Sequence, residues 1–503
     1  MDWSRGFRAT GMRRFARALA LSTVVLAAPV PRAHAQTPTA QPSAGQAAGQ
    51  GVGQVARQVL SSVAAGGVAP VGSVARAAQA DANQWVEPTK LAVMVSQRPR
   101  WPAGHPVLCG ARLPVCIHAR TGASAKRLPD ALKLLEQAYS TVVHVLSWQR
   151  PLPDGAFGGT SGFDVYLDSG PALWTVQADP LPNETGWTGW ASTSGFALVN
   201  PELGGSCALY HGLAASVAHA GVLAMDGAAN AALASATASY VASLVAPCDS
   251  VVLPLVEDFQ SRPDLAVSRP AHHAGAGALL FPWYVQQSRG RGNPVDLLHY
   301  MWSLGAQGLG DEVGLFYNEP DFLDSVAILA RDTGQSVSSF WLDFAVARAF
   351  AGDRDSGVYF PGTGFLVRSG AVRFEWAISY ASLPRRLAPR YAVEPTGSSY
   401  VYVSLDGAKA GAGLGLRAQW QGPEVFRFAL VTIDAHGFPL SRYNLVSEER
   451  RASAEYNVEN LGGAAGVIVV ATNTGSILTD IAFDPDNHPY VARPYILSLF
   501  AQK

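Results

Sequence analysis

Cys207–Cys248, CALYHGLAASVAHAGVLAMDGAANAALASATASYVASLVAPC, is the stretch that decides the fold. Its Ala-, Gly- and Ser-rich run reads as two consecutive helices joined near Met225–Gly227 and closed at both ends by cysteine. The first helix is apolar almost all round. Such a helix belongs in a core, because a surface helix needs a polar face. His219 is the one ionisable side chain deep in that apolar run.

The context of His219, SVAHAGVLAMD, resembles the A-H-E-x-x-H helix of secreted bacterial zinc metallopeptidases. Where those proteins carry H-E-x-x-H, this chain has His219, Ala220, Gly221, Val222 and Leu223. Two histidines one helical turn apart lean over the same patch and grip a metal, and the intervening glutamate polarises its water. Leu223 has no donor atom and Ala220 cannot take a proton. The family's third ligand is a glutamate on the following helix, in a sequence like E-S-T-A-x-W-V-E. Ser235 to Ala242 stand there instead, with Ser235 at the acidic position. The resemblance thus implies a kept scaffold with no catalytic residues, positions 219, 220, 223 and 235 all being degenerate. His211 precedes His219 by eight residues, about 12 Å of rise and roughly 80° of rotation on one helix, too far to share an ion. Any zinc would have to join His219 to the pair His272–His273. The expectation is no cofactor, with His219 neutral and bonded to a backbone carbonyl.

The likeness widens along the chain. Arg127–Trp148 reads as an amphipathic helix. A Gly-rich turn at Asp154–Gly162 then leads into the strand Phe163-Asp164-Val165-Tyr166-Leu167, and a further strand spans Gly195–Val199. Ala276–Gln287, Leu297–Trp302 and the segment from Thr333 to Phe344 continue the order of a myxobacterial-type group within the gluzincin class. Trp187, Trp190, Tyr240, Trp283 and Tyr284 are candidates to line a cleft, against core packing as the plainer role. Asp164 and Asp168 alternate about Tyr166 and are expected to face solvent.

Helical periodicity ends near residue 360. Short alternating runs follow at Val372–Ile378, Tyr400–Leu405, Leu414–Trp420, Val425–Ile433, Val467–Ala471 and Tyr490–Phe500, with turns at Asp406-Gly407 and His436-Gly437. That spacing predicts an antiparallel β-sandwich. Asp480, Asp484, Asp486 and Asn487 lack the spacing of an EF-hand loop. The fold class expected is α+β: a mainly helical zincin-like domain with a small sheet over 89–355, then a β-sandwich over 360–503.

Residues 1–35 read as a signal peptide. Arg5 to Arg17 supply the positive start, Ala18–Val30 a short apolar core, and Ala33-His34-Ala35 a cleavage site. Residues 36–88 are an Ala-, Gly-, Gln- and Ser-rich linker that cannot bury enough apolar surface to fold. Beyond the signal, no stretch is expected to reach the 18 or so apolar residues of a membrane span. Cys109, Cys116, Cys207 and Cys248 allow three pairings, of which 109–116 and 207–248 each close one local unit. Export to the periplasm or beyond agrees with that cysteine usage. With 37 basic and 38 acidic residues the chain is nearly neutral, which argues against nucleic acid as a partner. The leading expectation is a secreted, non-catalytic protein that binds peptide, protein or glycan. An active zinc metallopeptidase with relocated ligands and a structural envelope protein are the alternatives.

Overall fold

The computed structural model describes residues 98–502 except 100, 102, 121, 156, 171, 180–191, 228, 270–275, 291, 306–321, 423, 449–451 and 477–490. The described residues all fall within one compact unit. Among the described residues, strands form three five-stranded sheets, and the fold is α+β.

The first sheet has the order β1-β2-β3-β5-β4. Its strands are β1 (Val107–Cys109), β2 (Val115–Ala119), β3 (Phe163–Leu167), β4 (Trp174–Ala178) and β5 (Gly195–Val199). The central three run parallel, and β1 and β4 are antiparallel edges. One face, including Ile117, Val165, Val176 and Ala197, packs in the core with helix α1 (Leu128–Tyr139) and helix α2 (Gly205–Met225). Both sheet faces are covered, so every residue of β2 and β3 is buried, the polar His118 and Asp164 included.

Helix α2 and helix α3 (Ala231–Val245) are the two helices read from 207–248. The break between them is set by Asn230, whose side chain accepts from the N–H groups of Ala232 and Leu233 and so caps α3. All of α2 from Leu213 to Met225 is buried. By length and composition it is apolar enough to cross a membrane, contrary to the expectation that no such stretch follows the signal. Yet 89% of its apolar window is buried inside the protein, the position of a core helix. Cys207 is bonded to Cys248 and Cys109 to Cys116, the two local pairings.

Helices α4 (Asp249–Ser261), α5 (Leu280–Arg289), α6 (Asp296–Gly305), α7 (Phe322–Asp332) and α8 (Val337–Ala349) complete the helical part. Beyond them lie β6 (Trp376–Ser379), β7 (Arg385–Leu387), β8 (Ser398–Ser404), β9 (Gly413–Trp420) and β10 (Glu424–Ile433). They are followed by β11 (Pro439–Asn444), β12 (Val446–Glu448), β13 (Ser453–Val458), β14 (Gly466–Ser476) and β15 (Tyr495–Gln502).

These strands make a sandwich of two sheets, ordered β11-β10-β14-β8-β6 and β12-β13-β9-β15-β7. Phe428, Leu430 and Val469 of the first sheet meet Leu416, Leu497 and Leu499 of the second in one core. The sandwich departs from the antiparallel expectation at one edge, where β6 runs parallel to β8. Helix α8 covers the other face of the first sheet, setting Leu342, Ala345, Val346 and Ala349 against Tyr400, Val431, Ile468 and Val470. Double coverage is why β14 carries the unbroken run Val467-Ile468-Val469-Val470-Ala471.

Candidate functional site

His219 sits two-thirds of the way along α2 with its side chain turned inward. The ring lies edge-on to Trp174 of β4, centroids 5.9 Å apart. On the neighbouring residue, Ala218, the carbonyl accepts from Trp148 Nε1 at 2.9 Å. Gly221 lies so close to Trp148 and the Gln149 carbonyl that a Cβ would stand 2.3 Å from that oxygen. One turn on, Leu223 packs onto Gly195 of β5. The helix is therefore wedged tightly against its surroundings around His219.

Among the described residues, neither nitrogen of His219 has a hydrogen-bond partner. This corrects the expected bond to a backbone carbonyl. It is His211 that makes such a bond, through Nδ1 to the Ala246 carbonyl at 3.0 Å. Burial pushes the basicity of His219 down to about 4. Burial does the same to His211, also to about 4, with the Ala246 bond opposing. Both are neutral imidazoles at physiological pH.

The residues at the positions that the resemblance assigns to a second ligand, a base and a third ligand carry no groups suited to a metal. Ala220 and Leu223 are fully buried and carry no donor atoms. Ser235 is half-buried on α3 with a hydroxyl in place of a carboxylate. Among the described residues, no three His, Cys, Asp or Glu side chains converge as metal ligands would. His272 and His273 lie outside the described residues, as do Trp187, Trp190 and the Asp480–Asn487 acidic group. Of the other aromatic candidates, Tyr240 donates to the Pro294 carbonyl at 2.9 Å and its ring is 6.2 Å from Trp283. Trp283 stacks on the exposed Phe365 at 5.7 Å. Tyr284 is packed between Phe340, Phe344 and Phe360.

The other face of the first sheet holds a charged group of which the sequence reading singled out only Asp164, as a solvent-facing residue. Arg98 reaches Asp154 at 2.7 Å, Asp164 at 2.5 Å and Asp179 at 2.6 Å. All three carboxylates are essentially inaccessible. Asp164, on β3, also accepts from His118 Nε2 at 2.9 Å and from Thr160 Oγ1 at 2.6 Å. His118 Nδ1 lies 2.9 Å from Nε2 of the half-buried His105. Ser194 donates to Asp179 at 2.8 Å. Rings close the layer: His118 stacks on Tyr166 at 4.5 Å, and Trp101 meets Tyr166 edge-on at 5.2 Å.

Burial alone would push the Asp164 carboxyl up, but the bonds from His118 and Thr160 and the nearby Arg98 hold it below the usual carboxylate range. Burial alone would lower Arg98; its bond to Asp179 and the three carboxylates raise it instead. Gly158 is required here, since a Cβ would stand 1.7 Å from Asp164 Oδ2. The expected solvated face for Asp164 and Asp168 is therefore wrong for Asp164. Asp168 lies just beyond β3, half-buried, and accepts from the Ser169 N–H. Segments around 98–106 and 154–160 come together over β2–β5, so no local spacing marks the cluster. The one signal within reach of the sequence was an aspartate on the strand after a Gly-rich turn.

No family model matches the chain, and no curated protein matches it. Among solved structures it is similar to the pre-peptidase C-terminal domain of a collagenase from Bacillus anthracis, at 9% identity and a TM-score of 0.17, covering 25% of this chain and 96% of that one. It is also similar to CorA, a surface-associated copper-binding protein of Methylomicrobium album BG8, at 8% identity and a TM-score of 0.19, covering 25% and 97%. Likenesses of that size say nothing of this chain's fold or chemistry.

Proposed function

We propose that the protein is an exported, non-catalytic binding protein built on a metallopeptidase-like helical scaffold. The observation that carries this reading is the setting of His219. It is a neutral imidazole with no hydrogen-bond partner among the described residues, pressed against Trp174, and followed one turn later by Leu223 packed on Gly195. A zinc hydrolase needs an open coordination position and a base beside it; here apolar side chains fill both places. The zincin-like character of the helical part is supported by its order: a mixed sheet with an antiparallel edge, then a buried histidine helix, then a backing helix. Export is supported by the character of residues 1–35 and by two disulfides, which persist in oxidising compartments.

The test is turnover of casein and a mixed peptide library by purified mature protein, with and without added zinc. The reading expects no turnover in either condition. Zinc-dependent cleavage that disappears in His219→Ala would replace it with an active metallopeptidase using relocated ligands.

A further inference from the structure

Arg348, in the last turn of α8, is fully buried where the helical part meets the sandwich. A guanidinium has five N–H bonds to place. Here Nε donates to Gln260 Oε1 and Nη2 to the Phe259 carbonyl, while Nη1 has no acceptor among the described residues. The guanidinium carbon stands 3.9 Å from the centre of the Phe259 ring. None of these partners carries a formal negative charge. Gln260 can give no more, because its Nε2 donates to the carbonyls of Arg348 at 3.2 Å and Gly370 at 2.6 Å. Tyr400 turns its hydroxyl proton to the Ala345 carbonyl at 2.8 Å. Asp264, the carboxylate whose charge is felt at Arg348, is gripped by Arg262 at 3.0 and 2.8 Å and faced by Arg373 at 3.6 Å. Beyond the helix end Arg354 adds a second cation. It lies over Phe374 at 4.8 Å, and its Nη1 too has no acceptor among the described residues.

An unpaired charge taken out of water is costly. Burial lowers the Arg348 guanidinium only to about 10, so it keeps its proton at neutral pH. What this joint lacks is a negative charge. We propose that a halide ion, chloride, binds against Nη1 of Arg348 between α4, α8 and β8. A water molecule could accept the N–H bonds but would leave the charge uncompensated. Sulfate and phosphate carry more charge and cost more to strip of water in an enclosed site. A carboxylate on a larger ligand needs an opening to solvent, and Arg348 has none. Guanidinium is weakly hydrated for a cation, which suits an anion that sheds its water readily.

The test is the thermal midpoint of the full mature chain in sodium chloride and in sodium gluconate at equal ionic strength, gluconate being too bulky to enter. Wild type is expected to melt higher in chloride, with a rise that saturates as chloride replaces gluconate. Arg348→Met keeps an unbranched stem without the charge, and its midpoint should not respond to the exchange. An equal response in both proteins is an effect of salt on the surface and overturns the inference, as does no response in wild type. Should Arg348→Met fail to fold, wild-type crystals grown in bromide supply the comparison. An anomalous peak beside Nη1 is expected, and a water molecule or nothing in its place overturns the inference. A bromide peak with no midpoint response to chloride marks an adventitious ion only, and overturns it as well.

Discussion

The imidazole of His219 is buried, and neither of its nitrogens has a hydrogen-bond partner among the described residues. An unsatisfied buried polar group costs about 1–3 kcal/mol. His219→Leu is therefore expected to raise the unfolding free energy by about 1 kcal/mol at pH 7, read by urea denaturation. The same substitution should flatten the acid limb of the stability profile. Between the folded value of about 4 and the unfolded value of about 6.5, the unfolded chain binds a proton that the folded chain does not. Stability is full above pH 6.5 and declines as pH falls toward 4. His211 adds the same slope through the same interval. An acid limb unchanged in His219→Leu would count against this assignment.

Arg98 is the opposite case, a buried charge whose removal leaves three carboxylates without their cation. Breaking a buried pair by deleting one partner costs roughly 3–5 kcal/mol. Arg98→Ala should lose about that much in a denaturant titration. Gly158→Ala should lose a comparable amount, through the collision of its methyl with Asp164. A loss below about 1 kcal/mol in both would show that the cluster is solvated and adds little.

At the scale of elements, the strands Phe163–Leu167 and Gly195–Val199 and the paired helices of 207–248 were legible because local pattern and burial agree there. Elements placed by tertiary packing were not. Trp174–Ala178 is an edge strand that needs β5 to define it. The helix Asp249–Ser261 contains Pro254, which a local reading takes as a stop. The ion cluster is assembled from residues as far apart as Arg98 and Asp179, so spacing along the chain could not reveal it. In the sandwich, β7, β11, β12 and β13 are short or exposed, and their pattern is correspondingly weak. The Cys207–Cys248 bridge ties the start of α2 to the residue before α4 across 41 positions. On chain entropy alone such a loop contributes about 4 kcal/mol. Replacing both cysteines by alanine should therefore lower stability by about that amount, with the far-ultraviolet dichroism of the folded state unchanged.

For the whole molecule, α8 joins the helical part to the sandwich. Phe340, Trp341 and Phe344 belong to the helical core, while Ala345, Val346 and Ala349 face the sheet. Arg348, fully buried on the same helix, donates to Gln260 Oε1 and to the Phe259 carbonyl of α4, both at 2.9 Å. Tyr400 on β8 donates to the Ala345 carbonyl at 2.8 Å. Such shared packing predicts one cooperative thermal transition by near- and far-ultraviolet probes alike. Ala345→Leu would overfill the joint, lower the midpoint and cost about 1–3 kcal/mol. Separate melting of the strands would contradict it.

The claim beneath all of this is that the histidine helix is packing and not chemistry. Its most direct test is the metal content of purified mature protein after dialysis, compared with that of His219→Leu. The account predicts far less than one equivalent of zinc in both proteins. One equivalent held by wild type and lost in the variant would contradict it.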